Sequence, residues 1–148
     1  MTVFQESGVP ASCWAAAWIS RARSGPSAAA STRITASDAS FDTVVSTLVL
    51  CGVDDQPRVL RELRRVLRPG GRLIFMEHVR SHDPRVAKMQ DRMNPVNRFF
   101  VCCDCNRPTL DTIRSTGFEV TELEQTELPK APPFVRPLIV GTATAPVA

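Results

Sequence analysis

Along residues 41–79 the apolar positions change rhythm twice. Thr43 to Leu50 and Leu73 to Met76 are short, nearly continuous apolar runs rich in β-branched residues, the pattern of strands buried inside a parallel sheet. Between them Val59, Leu60, Leu63, Val66 and Leu67 keep to one face of a helix, while Arg58, Arg61, Glu62, Arg64, Arg65 and Arg68 fall off it. Asp54 or Asp55 can cap the helix start, Pro57 suits its first turn, and Pro69-Gly70-Gly71 supplies a stop and a residue able to take φ > 0. The spacing therefore predicts a strand near 41–50, a helix near 56–67 and a strand near 72–79, which together make a βαβ unit. The helix's apolar face is worth roughly 10 kcal/mol of burial before chain entropy is subtracted, and it needs a sheet to cover.

Farther along, Val86, Met89, Met93, Val96, Phe99 and Phe100 recur near helical spacing from Asp83 to Phe100, interrupted by Asn94-Pro95. This spacing reads as a kinked amphipathic segment. A short helix near 108–116 closed by Gly117, a strand near 118–124, a turn at Pro132-Pro133 and a last strand near 136–143 follow, with a frayed tail from Thr144. Residues 1–40 are rich in Ala, Ser and Arg, with little pattern beyond a short helix from Ser12 to Arg23. The chain divides into a poorly specified segment (1–37), a folded domain (38–144) and a tail (145–148).

At 148 residues and 43% hydrophobic, the chain suits a single domain. Its formal charge of +3 comes mostly from arginines interleaved with acids, without the basic run of a nucleic-acid surface, so no nucleic-acid partner is expected. No stretch approaches the 20 or so apolar residues of a membrane span. The apolar stretch from Cys13 to Ile19 is short, has no Lys or Arg before it and is followed by Arg21 and Arg23, unlike a secretion signal. Five cysteines, an odd number, then suggest reduced thiols in a cytoplasm.

The order FDTVVSTLVL, DD, RVLRELRRVLRPGGRLIFMEHV resembles the fourth strand, following helix and fifth strand of class I S-adenosylmethionine-dependent methyltransferases, in particular the type 11 group. VLRPGGRL is the most specific part. The resemblance extends more loosely from about Asp38 to Thr144. It implies an α/β fold: the C-terminal half of a doubly wound, Rossmann-like sheet, with local strand order 4-5-7-6 and helices on its faces. It also implies S-adenosylmethionine as cofactor and a small, apolar methyl acceptor. The family's G-x-G-x-G turn after the first strand does not occur, so cofactor binding is expected to be weak or lost. Either residues 1–40 belong to a truncated, partly out-of-frame relic, or they have diverged.

In open α/β sheets, ligands sit beyond the carboxyl ends of the strands. By resemblance Ser46, Thr47 and Leu48 pass the methionine part of the cofactor, mainly through backbone groups; otherwise they are ordinary strand residues. Glu77 and His78 follow an apolar strand, where charge requires exposure or hydrogen bonds. His78 is a candidate general base or a donor to a backbone carbonyl, and Glu77 a candidate to orient it. The resemblance places Met89, Met93, Phe99 and Phe100 in a substrate pocket, plain core packing being the alternative. Cys103-x-x-Asn106-Arg107-x-Thr109 is similar to a Gly-Cys-x-x-Asn-Arg-x-Thr pattern in relatives of the alkyl-thiol methylating enzymes, with Cys102 in place of Gly, which adds Cys103 and Asn106 to the substrate candidates. Adjacent cysteines do not match zinc spacing and the nearest preceding histidine is His82, so no metal is expected. A thiol redox role lacks its C-x-x-C. The rival to methyl transfer is an inactive fragment that self-associates through the edge of strand 41–50, which would lack its partner strand unless residues 1–40 fold over it.

Overall fold

The structure is a computed structural model describing residues 2–4, 34–101 and 103–147. Its elements are β1 (Thr2–Phe4), β2 (Phe41–Thr47), a 3-10 turn (Leu50–Gly52), α1 (Gln56–Val66), β3 (Leu67–His78), α2 (Pro84–Val101), α3 (Thr109–Ser115), β4 (Glu119–Glu127) and β5 (Pro137–Thr144). They build one sheet in the order β1-β2-β3-β5-β4. β2 and β3 are parallel. β5 runs antiparallel between β3 and β4. The run β2-β3-β5-β4 is the expected 4-5-7-6 order.

Helix α1 forms where its period and caps place it. The Asp55 carboxylate accepts from the Arg58 N–H at 2.9 Å, and Val59, Leu60, Leu63 and Val66 are fully buried. They pack with Val44, Leu73, Phe75, Ile113, Ile139 and Ala143 in one core, so α1 covers the face of the sheet that carries Leu73, Phe75 and Glu77. Gly141 is required on that face: a Cβ there would stand 2.3 Å from the Glu122 carbonyl oxygen and 2.7 Å from the Phe75 ring. On the opposite face Ile74 is 37% exposed, and Val45, Met76 and Val140 are half-buried.

Four further differences have local causes. β2 ends at Thr47 rather than Leu50, because Leu48 takes φ +51° and the chain turns into the 3-10 segment. β3 starts at Leu67 rather than Arg72. Gly70, at φ +74°, and the register shift between Phe41 and Thr43 absorb the Pro-Gly-Gly turn as an irregularity within the strand. The tail does not fray at Thr144: Ala145 is buried and exchanges hydrogen bonds with Gly70 and Gly71 at 3.1 and 2.8 Å. The edge of β2, expected bare, pairs antiparallel with β1 from Thr43 to Val45. The edge is thus covered at those positions by residues 2–4, the exception that the expectation itself allows. The expected helix from Ser12 to Arg23 lies outside the described residues.

Helix α2 runs through Pro95 without interruption, and its buried residues are not the apolar set that predicted it. Ala87, Gln90 and Asn97 face inward, Met89 and Met93 are half-buried, and Phe99 and Phe100 are 80% and 76% exposed. Hydrogen bonding selects this face, because the surface α2 meets is backbone rather than side chain.

Candidate functional site

The carboxyl ends of the parallel pair β2 and β3 hold a buried polar network. Leu73, Phe75 and Glu77 alternate onto the core face of β3, which sets a carboxylate fully inside the protein at the strand's last turn. It is satisfied by the end of β2. The Ser46 hydroxyl donates to Glu77 Oε1 at 2.7 Å, the Val49 N–H donates to the same oxygen at 3.1 Å, and the Cys51 N–H donates to Oε2 at 3.2 Å. Leu48 N–H is taken by the Met76 carbonyl at 2.8 Å. Glu77 thus shapes the loop 48–51 and holds Leu48 in the left-handed region, which costs a non-glycine residue roughly 1–2 kcal/mol. Burial pushes the Glu77 pKa above the ordinary value, opposed by the hydrogen bonds from Ser46, Leu50, Val49 and Cys51.

His78, the next residue, faces the other way. The two side chains do not meet, so Glu77 does not orient His78, contrary to the expectation drawn from their adjacency. The imidazole is buried beside the carbonyls of Val135 and Pro137, and desolvation lowers its pKa against their pull. It is therefore neutral near physiological pH. Its Nδ1 has no hydrogen-bond partner.

A second loop docks on this end of the sheet. Asp104 N–H donates to the Cys51 carbonyl at 2.8 Å, joining the cysteine loop to the loop after β2. Gln90 of α2 donates to the carbonyls of Val79 and Cys105 at 2.9 and 2.8 Å and accepts from the Ser81 N–H at 2.8 Å. Asn97 donates to the Cys103 carbonyl at 2.6 Å. Asp104 pairs with Arg98 and Arg107. Burial raises its pKa, but Asn94 and the two guanidinium groups outweigh that and hold it below the usual carboxylate range. Thr109 Oγ1 accepts from Gln56 at 3.1 Å and donates to the His78 carbonyl at 3.3 Å. Asn106 donates to Asp91 at 3.0 Å, beside the bidentate Arg80–Asp91 pair at 2.6 and 2.8 Å.

The candidates therefore separate. Ser46 is buried in the Glu77 network, Thr47 is exposed and Leu48 is half-buried. Cys103 is buried and Asn106 lies at the surface pair, while Cys102 is not among the described residues. A shallow pocket of about 180 Å³ opens beyond β3, lined by Arg80, His82, Arg107, Thr109 and Gln125 among others. No substrate candidate lines it. Gln90, Asn97 and Cys51 escaped the sequence reading. Gln90, Asn94 and Asn97 do share one helical face in the sequence, but the apolar stripe beside them drew the reading.

Loop 48–51 fits one part of S-adenosylmethionine and not another. The Leu48, Val49, Leu50 and Cys51 N–H groups are committed internally, so the loop has no such donors to offer an anionic carboxylate; its Val49, Leu50 and Cys51 carbonyls each already accept one hydrogen bond, from Gly52, Gln56 and Asp104, and keep a second lone pair for an ammonium. Among the described glycines, the two with positive φ are Gly70, at the opposite end of β3, and Gly117, after α3.

Residues 15–75 match the family described as a methyltransferase domain. The chain is 39% identical over 108 residues to the thiol S-methyltransferase TMT1A of Homo sapiens, covering 72% of this chain and 44% of that protein. It is 46% identical over 54 residues to the ubiquinone/menaquinone biosynthesis C-methyltransferase UbiE of Hahella chejuensis, covering 36% of this chain and 22% of that protein. The chain thus spans less than half the length of either. A SAM-dependent methyltransferase of Methanosarcina mazei superposes with a TM-score of 0.59 at 18% identity, over 79% of this chain and 65% of that one. At that identity the likeness bears on the fold alone.

Proposed function

From the premise that this chain belongs to the class I S-adenosylmethionine-dependent methyltransferases, we propose that it provides the acceptor side of a site that methylates a small apolar thiol. The observation that carries this reading is the Glu77 carboxylate, which fixes the loop beyond β2 at 2.7–3.2 Å from three donors, at the sheet end where such folds bind ligands. The thiol is chosen because the 39% identical relative is a thiol S-methyltransferase, whereas the C-methyltransferase matches over a shorter stretch.

S-adenosylmethionine supplies the electrophilic methyl group. The chain's own part is alignment, for which proximity and orientation account for most of the rate. The carbonyls of loop 48–51 would hold the ammonium end of the cofactor, and Glu77 acts as a positioning residue. Met89 and Met93 with the exposed Phe99 and Phe100, whose rings meet edge to face at 5.1 Å, offer the acceptor an apolar surface. Neutral His78 retains a lone pair that could receive a proton, but it is buried, so thiol deprotonation is assigned to solvent.

The test is incubation of the chain with millimolar methyl-labelled S-adenosylmethionine and a short alkyl thiol. Labelled methyl thioether above the protein-free rate is expected. No product from a chain that is folded by circular dichroism would overturn the reading.

A further inference from the structure

The loop that follows α2 places two thiols where the adjacent-cysteine spacing gave no sign of a site. One ligand atom each from His78, Cys103 and Cys105 lies within 4.8 Å of the others, and all three residues are buried. We propose that these three side chains, with Cys51 in the fourth position, bind a zinc ion at the carboxyl end of β3.

Four observations carry this. The Cys103 and Cys105 sulfurs are 3.6 Å apart, close to the roughly 3.8 Å separating two thiolates that each stand about 2.3 Å from a tetrahedral zinc. Cys51 is buried in the same cluster as Cys103 and Cys105. His78 Nδ1 is buried and has no partner, while the ring lies beside the carbonyls of Val135 and Pro137. A carbonyl that takes the other ring N–H leaves Nδ1 as a free lone pair, the arrangement that orients metal-binding histidines. The surrounding groups also hold the ligands in place: Asn97 donates to Cys105 Sγ at 3.3 Å and to the Cys103 carbonyl, and Gln90 holds the Cys105 carbonyl.

Thiolate and imidazole donors select zinc over magnesium or calcium, and a buried four-ligand set is that of a structural site. On binding, Cys51, Cys103 and Cys105 give up their thiol protons to solvent and His78 stays neutral. The ion would staple three separate segments: the loop after β2, the end of β3 and the loop after α2. It is independent of the methyl-transfer reading.

The test uses the full chain, reduced and stripped of metal with a chelator, then titrated with cobalt(II) and with zinc. Expected is uptake of one equivalent, with the thiolate-to-cobalt charge-transfer band and the strong visible bands of tetrahedral cobalt, both displaced by zinc. Cys103→Ser and Cys105→Ser should each weaken the thiolate band, Asn97→Leu should weaken binding by about tenfold, and the exposed His82→Gln should leave it unchanged. A folded wild-type chain that takes up neither metal would overturn the proposal, whatever the variants do. So would an undiminished cobalt spectrum in the Cys103→Ser/Cys105→Ser chain.

Discussion

Replacing Glu77 by Gln keeps the shape of the side chain and changes one hydrogen-bonding atom at the centre of the network. Gln Oε1 can still accept from the Ser46 hydroxyl and the Val49 N–H, which meet one oxygen at 2.7 and 3.1 Å in the wild type. Its Nε2 then faces the Cys51 N–H, which donates to the second oxygen at 3.2 Å, so two donors confront each other in a buried site. One unsatisfied buried group costs about 1–3 kcal/mol. With a urea dependence of about 2 kcal/mol per molar, the midpoint should fall by roughly 0.5–1.5 M. The difference should also depend on pH. Burial raises the folded-state pKa of Glu77 above its ordinary 4.5, so the folded state binds the proton more tightly than the unfolded chain. The stability this contributes is fully present below the unfolded value and is lost as pH rises through the folded value. Because Gln does not titrate, the wild-type advantage should be largest at acid pH and shrink as pH rises. Urea titrations across that range provide the assay. A midpoint shift under about 0.25 M, equivalent to roughly 0.5 kcal/mol, would show that Glu77 does not organise the loop. An advantage that grows with pH would show that the hydrogen bonds, not burial, dominate its ionisation.

The other expectations concern packing. Gln90→Leu removes the partner of the Val79 and Cys105 carbonyls and the Ser81 N–H, and at about 1 kcal/mol for each lost bond it should cost about 3 kcal/mol in urea unfolding. Gly141→Ala drives a Cβ to 2.3 Å from the Glu122 carbonyl oxygen in the strand between β3 and β4; a loss of about 1–3 kcal/mol is expected by thermal unfolding, and an unchanged Tm would mean that β5 sits differently. Phe99→Ser with Phe100→Ser should change stability by under about 0.5 kcal/mol, because both rings are exposed, but should raise KM for an alkyl thiol with kcat retained.

The fold was legible where several local signals agreed. In α1 the apolar period, Asp55, Pro57 and the following Pro-Gly-Gly all pointed to one helix, and continuous apolar runs marked the parallel pair. The ends of these elements were less legible. Leu48 leaves the strand because a carboxylate 29 residues later in the chain gathers the N–H groups around it, and no local propensity encodes that. Helix α2 was found by its apolar residues, yet it buries amides, because the periodic pattern says that a helix exists but not whether its neighbour offers side chains or bare carbonyls. Glu77 and His78 stand out in the sequence as a charged pair at a strand end that needs exposure or hydrogen bonds, but strand alternation sends neighbours to opposite faces, so the one does not orient the other. The thiol cluster was hidden for a different reason: its members come from three segments, and only the sheet's crossover from β2 to β3 and the docking of the loop after α2 bring them together.

Calorimetric titration of the full chain with S-adenosylmethionine tests the central claim most directly. If loop 48–51 receives the ammonium end through carbonyls and has its own donors committed to Glu77 and Met76, binding should be measurable but weak. A Kd between about 0.1 and 1 mM is expected, corresponding to roughly 4–5.5 kcal/mol. Low-micromolar binding, about 7–8 kcal/mol, would contradict that account by requiring donors that this loop does not have, and an absence of heat at millimolar ligand would contradict the methyl-transfer reading itself.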